Sequence, residues 1–128
     1  MTVTEPNTAT KDGKVVSIAG PVIDVEFPED NLPEINSALA FDLVVDGETI
    51  TVYAEVAQQI GDSRVRAISL KPTDGLKRGT AVRNTGAGIQ VPVGDVTLGH
   101  VWNVIGEPLD VDASTLDIDE KWEIHRPA

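Results

Sequence analysis

From Gly13 to Gly88 the apolar residues come in short β-branched runs, cut by glycine, proline and aspartate. KVVSIAG and PVIDVEF are two such runs, split at Gly20-Pro21. In the second, Ile23, Val25 and Phe27 alternate with Asp24 and Glu26. A period of two marks a strand with one face in water. Pro28 ends it, and PEDNLPEINSA reads as a loop with one helical turn near Glu34–Ser37. Next, LAFDLVVDGETITVYAEVA carries Asp46-Gly47 between two strand-like runs. Both turn residues tolerate positive φ, so this predicts a hairpin. QQIGDS predicts a further turn, RVRAISL a strand, KPTDGLKRG a loop and TAVRN a short strand, with NTGAG closing the pattern.

The result is about six short strands within about seventy residues and almost no helix, the spacing of a small barrel or a sandwich. The barrel is preferred because closure leaves no edge strand to aggregate. The fold class expected is mainly β: a small closed six-stranded β-barrel, then the irregular beginning of another domain.

Beyond Gly88 the texture changes. IQVPVGDVTLGHVWNVIG is more apolar, and LDVDASTLDIDEKWEIHRPA is acidic and irregular. Val101, Trp102, Val104 and Ile105 need a partner surface, and no amphipathic helix follows to supply it. Residues 1–12 are polar and Thr-rich, without periodicity, and read as a flexible N-terminal extension. The expected organisation is therefore residues 1–12 as extension, 13–86 as barrel and 87–128 as the start of a second domain.

Composition narrows the function more than the fold. The 128 residues have a formal net charge of -11. Such a chain repels phosphate backbones and anionic lipid, which argues against nucleic-acid and direct membrane-surface binding; no stretch approaches the ~18 apolar residues that a membrane span needs, so direct membrane insertion is not expected. Aromatics make up 4% of the chain, so the core must rest on Val, Ile, Leu and Ala. With no cysteine, disulfides, thiolate catalysis and Cys-ligated metals are excluded. The opening residues have no basic start followed by an apolar run, as a secretory signal would.

Several constellations invite chemistry. NTGAGIQ resembles a phosphate-binding loop, but Ile89 and Gln90 follow Gly88 where a P-loop needs lysine and a hydroxyl. It reads as a tight turn. Asp110, Asp112 and Ser114 fit positions one, three and five of a calcium loop. Thr115 stands where that loop needs glycine and Lys121 where it needs glutamate. The stretch Asp110–Glu120 reads as a solvated acidic loop. His100 and His125 have no metal-pair spacing and no evident Ser/Asp partner. Arg64 and Arg66 share a strand face, which suits an inter-subunit contact or ordinary surface ion pairs. Trp102 and Trp122 read as packing anchors. No catalytic, cofactor-binding or metal residue is assigned in the chain.

The ordered segments nevertheless line up with a known family. GPVIDVEFPEDNLPEINSAL, AEVAQQIGDSRVRAISLKPTDGLKRGTAVRNTG, PVGDVTLGHVWNVIGEPLD and IHRPA occur in that order between about Gly13 and Ala128. Together they resemble the N-terminal part of catalytic beta subunits of F-type, proton-translocating ATP synthases of the bacterial type. The AEVAQ, GD, VR, TDGL and RG series separates that resemblance from the non-catalytic alpha subunit. Flagellar and vacuolar ATPases and the Rho helicase are more distant variants of the same plan. His100 departs from it, where arginine is common, as do the hairpin Asp42–Thr51 and the acidic stretch Asp112–Glu120.

The resemblance implies an ATP-making and ATP-hydrolysing parent that uses ATP/ADP and Mg²⁺. The binding residues of that parent lie beyond Ala128, so this segment is expected to bind neither and to be inactive alone. It implies alpha subunits as partners in an alternating hexameric ring, held together by a crown of barrels around a central gamma stalk. The location implied is peripheral, on the cytoplasmic face of the cell membrane. PVGDVTLGHVWNVIGEPLD would lead the chain from barrel to nucleotide-binding domain, with Asn103–Pro108 in that domain's first layer. The rival readings from the residues themselves are a stand-alone, non-catalytic β-barrel interaction module and a small acidic metal-binding protein.

Overall fold

A computed structural model describes residues 12–127. The expected extension therefore lies, but for Asp12, outside the described residues. These form two compact units, one ending at Ala87 and the other beginning at Gly88.

The first unit holds six strands: β1 Gly13–Ala19, β2 Val22–Glu26, β3 Ser37–Val45, β4 Glu48–Gly61, β5 Arg64–Ser69 and β6 Ala81–Gly88. They form a closed barrel in the order β1-β2-β5-β4-β3-β6. The β1–β2, β2–β5, β4–β5, β3–β4 and β1–β6 pairs are antiparallel. The seam between β1 and β6 pairs Gly13 with Val82 and Lys14 with Ala81. It is extended by hydrogen bonds from Val15 N–H to Thr80 O (3.0 Å) and from Gly79 N–H to Val15 O (2.8 Å).

Alternation decides what fills the barrel. Along β5, Val65, Ala67 and Ser69 are buried while Arg64, Arg66 and Ile68 face out. The inward residues of the other strands include Val15, Ile23, Val25, Leu39, Phe41, Leu43, Val52, Ala54, Val56 and Val82. A barrel this small is filled by side chains rather than by a ligand cavity. Phe27 and Phe41 are the only phenylalanines, so aliphatic side chains supply the rest of the core.

Turn chemistry sets the hairpin registers. Asp46 and Gly47 have φ of 52° and 81°, and Val45 pairs with Glu48 around them. This is the two-residue hairpin read from the sequence.

Three expectations need correction. The helical turn lies at Glu29–Asn31 rather than near Glu34–Ser37. There Asn36 takes a φ of 73°, outside the right-handed helical region, and a turn closes through Ser37 N–H to Glu34 O at 3.1 Å. QQIG belongs to β4, and the turn is confined to Asp62 and Ser63, both with positive φ. Two register shifts in β4, between Val56 and Gln58 and between Gln59 and Gly61, break the alternation that would have announced a strand. NTGAG likewise continues β6 instead of ending it.

The second unit contains β7 Gln90–Pro92 and β8 Lys121–Glu123, an antiparallel pair of three residues each. Short 3₁₀ turns form at Asp95–Thr97 and Ala113–Thr115. Among the described residues no α-helix occurs.

Candidate functional site

On the barrel's outer face, β2 and β5 pair Asp24 with Arg66 and Glu26 with Arg64. Register therefore places each arginine against a carboxylate. Arg66 donates from Nε to Asp24 Oδ1 (2.9 Å) and from a terminal nitrogen to Oδ2 (3.3 Å). That hydrogen bonding, then the charge of Asp24, holds the guanidinium's pKa above its usual value. Arg64 sits 3.6 Å from Glu26. The two arginines thus form surface ion pairs within the chain, the plainer of their two readings.

A third cluster joins distant strands. Arg83 of β6 donates to both Asp42 carboxylate oxygens at 3.2 and 3.4 Å, and Thr51 Oγ1 donates to Asp42 Oδ1 at 2.9 Å. The Arg83 hydrogen bond, then that from Thr51, lowers the Asp42 pKa. No local pattern could reveal this triad, because residues 42 and 83 meet only when β3 and β6 become neighbours.

In the glycine stretch, Gly86 N–H bonds its own neighbour Asn84 Oδ1 at 3.0 Å, and Gly88 N–H bonds Glu123 Oε2 at 3.1 Å. An amide that already faces a carboxylate does not fit a phosphate cradle. In the acidic stretch, Asp112 accepts from Ser114 N–H at 3.0 Å and caps the Ala113–Thr115 turn. The Ser114 backbone bond lowers its pKa first, then the Ser114 side chain. No group of three potential metal ligands occurs among the described residues.

His100 differs from the sequence reading. Its Nδ1 lies 3.0 Å from Asp110 Oδ2, so it does have an acidic partner. The bond from His100 is the largest cause of a lowered Asp110 pKa. Residues 100 and 110 stand at the open end of a tight hairpin-like loop. Within it Leu109 N–H donates to Val101 O (2.8 Å), Trp102 bridges Pro108, and Asn103 N–H donates to Glu107 O (2.9 Å). Asn103 Oδ1 also accepts from the Ile105 and Glu107 amides at 3.1 and 2.9 Å. The signal was present: the pairs fall symmetrically about Ile105 in HVWNVIGEPLD.

Trp102 is partly buried and donates to Thr97 O at 3.2 Å. Trp122 is not a buried anchor, being 47% exposed with the Arg126 guanidinium 3.6 Å over its ring. Several other apolar side chains of this unit face out, including Val104 (78% exposed), Leu98 (70%) and Leu109 (64%).

A comparison with known families matches residues 15–86 to the ATP synthase alpha/beta family, beta-barrel domain. The chain belongs to the ATP synthase alpha/beta family. The matched span runs from Val15 in β1 to Gly86 in β6, so it covers the six barrel strands almost entirely. The closed antiparallel barrel is the one such a family domain requires. Membership points to an ATPase parent and to a ring of family subunits. No helix of the described residues is long and apolar enough to cross a membrane.

Proposed function

We propose that the chain is the N-terminal part of a catalytic beta subunit of an F-type ATP synthase, the enzyme that makes ATP from ADP and phosphate with a proton gradient and can run in reverse. The observation that carries this reading is the barrel match at residues 15–86, taken with the AEVAQ, GD, VR, TDGL and RG series that follows the beta pattern. The barrel's role is mechanical. It joins alternating alpha and beta subunits in a crown that holds the ring while other domains of the parent open and close around the gamma stalk. Residues 87–128 begin the nucleotide-binding domain, and ATP/ADP and Mg²⁺ are held by the parent outside this segment. The outward-facing Leu98, Val104 and Leu109 support that reading, since they suit a surface covered by further structure. The complex is peripheral, at the cytoplasmic face of the membrane.

The test is native mass spectrometry of the chain mixed separately with purified alpha and beta subunits of an F-type enzyme. A beta identity gives a complex with alpha and none with beta. A complex with beta alone would assign the chain to the alpha type. Binding to neither would overturn the crown role and favour a stand-alone interaction module.

A further inference from the structure

The dipeptide Asp-Gly occurs three times in the chain, at Asp12-Gly13, Asp46-Gly47 and Asp74-Gly75. In this pair a side-chain carboxyl meets the following amide easily, because glycine has no Cβ to block the approach and leaves the backbone free to turn. The fold gives the three copies different surroundings. Gly13 is buried at the start of β1, opposite Val82, and a Cβ there would lie 2.7 Å from Val25 Cγ1 and 2.8 Å from the Phe27 ring. Asp74 and Gly75 are exposed, but their turn is tied down on both sides. Leu76 N–H donates to Thr73 O at 2.9 Å with the Leu76 side chain in the barrel core, and Thr73 Oγ1 donates to Gly20 O at 2.8 Å. Asp46 and Gly47 instead form the tip of the hairpin between β3 and β4. Both are exposed, the ladder stops at Val45 and Glu48, and a Cβ on Gly47 would meet no atom within 4 Å. Asp46 also holds a φ of 52°, a left-handed backbone that an L residue gives up at little cost.

We propose that Asp46 is a self-modification site, where the exposed hairpin tip permits isomerisation to isoaspartate while the fold shields the other two Asp-Gly pairs. The proposal stands on the hairpin and not on the functional reading above. Local opening of the tip brings the Gly47 nitrogen onto Cγ of the Asp46 carboxyl in its acid form. A C–N bond forms and a C–O bond breaks. The carboxyl OH leaves with the amide hydrogen as water, giving a five-membered succinimide. Water then adds to one of the two ring carbonyls, and the C–N bond at that carbon opens. Opening at Cγ restores aspartate. Opening at the backbone carbonyl carbon gives isoaspartate, whose main chain runs through Cβ. One water leaves and one enters, so the sum is an isomerisation with no oxidant or further reactant.

The consequence lies in the β3–β4 ladder. Isoaspartate adds one atom to the main chain of a turn whose two residues both need positive φ. The pairs nearest the tip, Val45–Glu48 and Val44–Thr49, then lose their register. Val44 and Val45 are exposed and Leu43 is the first buried residue behind them, so the damage stays at the outer end of the hairpin.

The test is incubation of the 128-residue chain in water labelled with heavy oxygen, followed by peptide mapping by mass spectrometry. Each passage through the succinimide inserts one solvent oxygen, so label at an aspartate counts the reaction, and chromatography separates the isoaspartate peptide. The same chain in denaturant gives the rate of each site without the fold. Native structure should slow Asp12 and Asp74 at least about tenfold relative to denaturant and slow Asp46 by no more than about threefold, the difference between structural opening and local fraying. Gly47→Ala, which places a Cβ beside the attacking nitrogen, should suppress label at residue 46 in native and denatured chain alike. Equal slowing at the three sites, stronger slowing at Asp46 than at Asp74, or undiminished label in Gly47→Ala would overturn the proposal.

Discussion

Residues 13–87 and residues 88–127 both carry apolar side chains, but they treat them differently. In the barrel, alternation and closure send one face of every strand to a common axis, where Phe41, Leu39, Val52, Val56, Val65 and Val82 are fully buried. In the second unit only Ile89 and Pro92 are buried among the described residues, while Leu98, Val104 and Leu109 stay in solvent. Its shape is held by polar devices instead: the Asn103 side chain inside the loop, the Asp112 cap, the His100–Asp110 pair and a two-stranded sheet of three residues a side. Two-stranded sheets are marginal in water by themselves. Local bonds can shape a segment, but a closed set of strands makes a cooperative unit.

The largest expected effect comes from breaking the barrel's core. Phe41→Ala removes a fully buried ring and should cost about 3–5 kcal/mol, read as a lower denaturation midpoint for the barrel. Val104→Ser, at the most exposed large apolar residue among the described residues, should leave that midpoint within about 0.5 kcal/mol. Equal losses would erase the contrast between the units.

Gly106→Ala comes next. Its Cβ would lie 2.6 Å from Pro92 Cδ at a φ of 79°, so both space and backbone oppose it. A local cost of about 1–3 kcal/mol is expected. NMR should show it as lost order around residues 100–110 with the barrel unchanged.

Gly47→Ala meets no atom within 4 Å but keeps a φ of 81°. Strain alone should cost the barrel about 1–2 kcal/mol in thermal unfolding, toward the lower end at a hairpin tip.

The smallest effect belongs to Asp42→Asn. Both partners of the Asp42–Arg83 pair are nearly half exposed, so the loss at neutral pH should stay below about 1 kcal/mol. Because the Asp42 pKa is lowered in the fold, its contribution is present above the usual carboxylate range and lost as pH falls through the lowered value. Denaturation curves of variant and parent should therefore converge in acid.

The same contrast explains what could be read from the sequence. Strands with a period of two, such as Ile23–Phe27 and Arg64–Ser69, were legible, as was the Asp46-Gly47 hairpin, because their signals are local. β4 ran past its expected end because its bulges hide the alternation after Val56. Arg64 and Arg66 could be placed on one face, but their partners Glu26 and Asp24 required the register of β2 against β5. Asp42–Arg83 required the whole barrel order. His100–Asp110 lay within eleven residues, but a pair ten apart that meets across a loop matches no metal-ligand or triad spacing.

The most direct measurement is amide hydrogen exchange across the whole chain under native conditions. The amides of Val52, Val56 and Val65 should exchange only through global unfolding of the barrel. Those of residues 88–127 should exchange through local opening at far lower free energy. Equal protection in both units would contradict this contrast, because the second unit would then possess a cooperative core of its own.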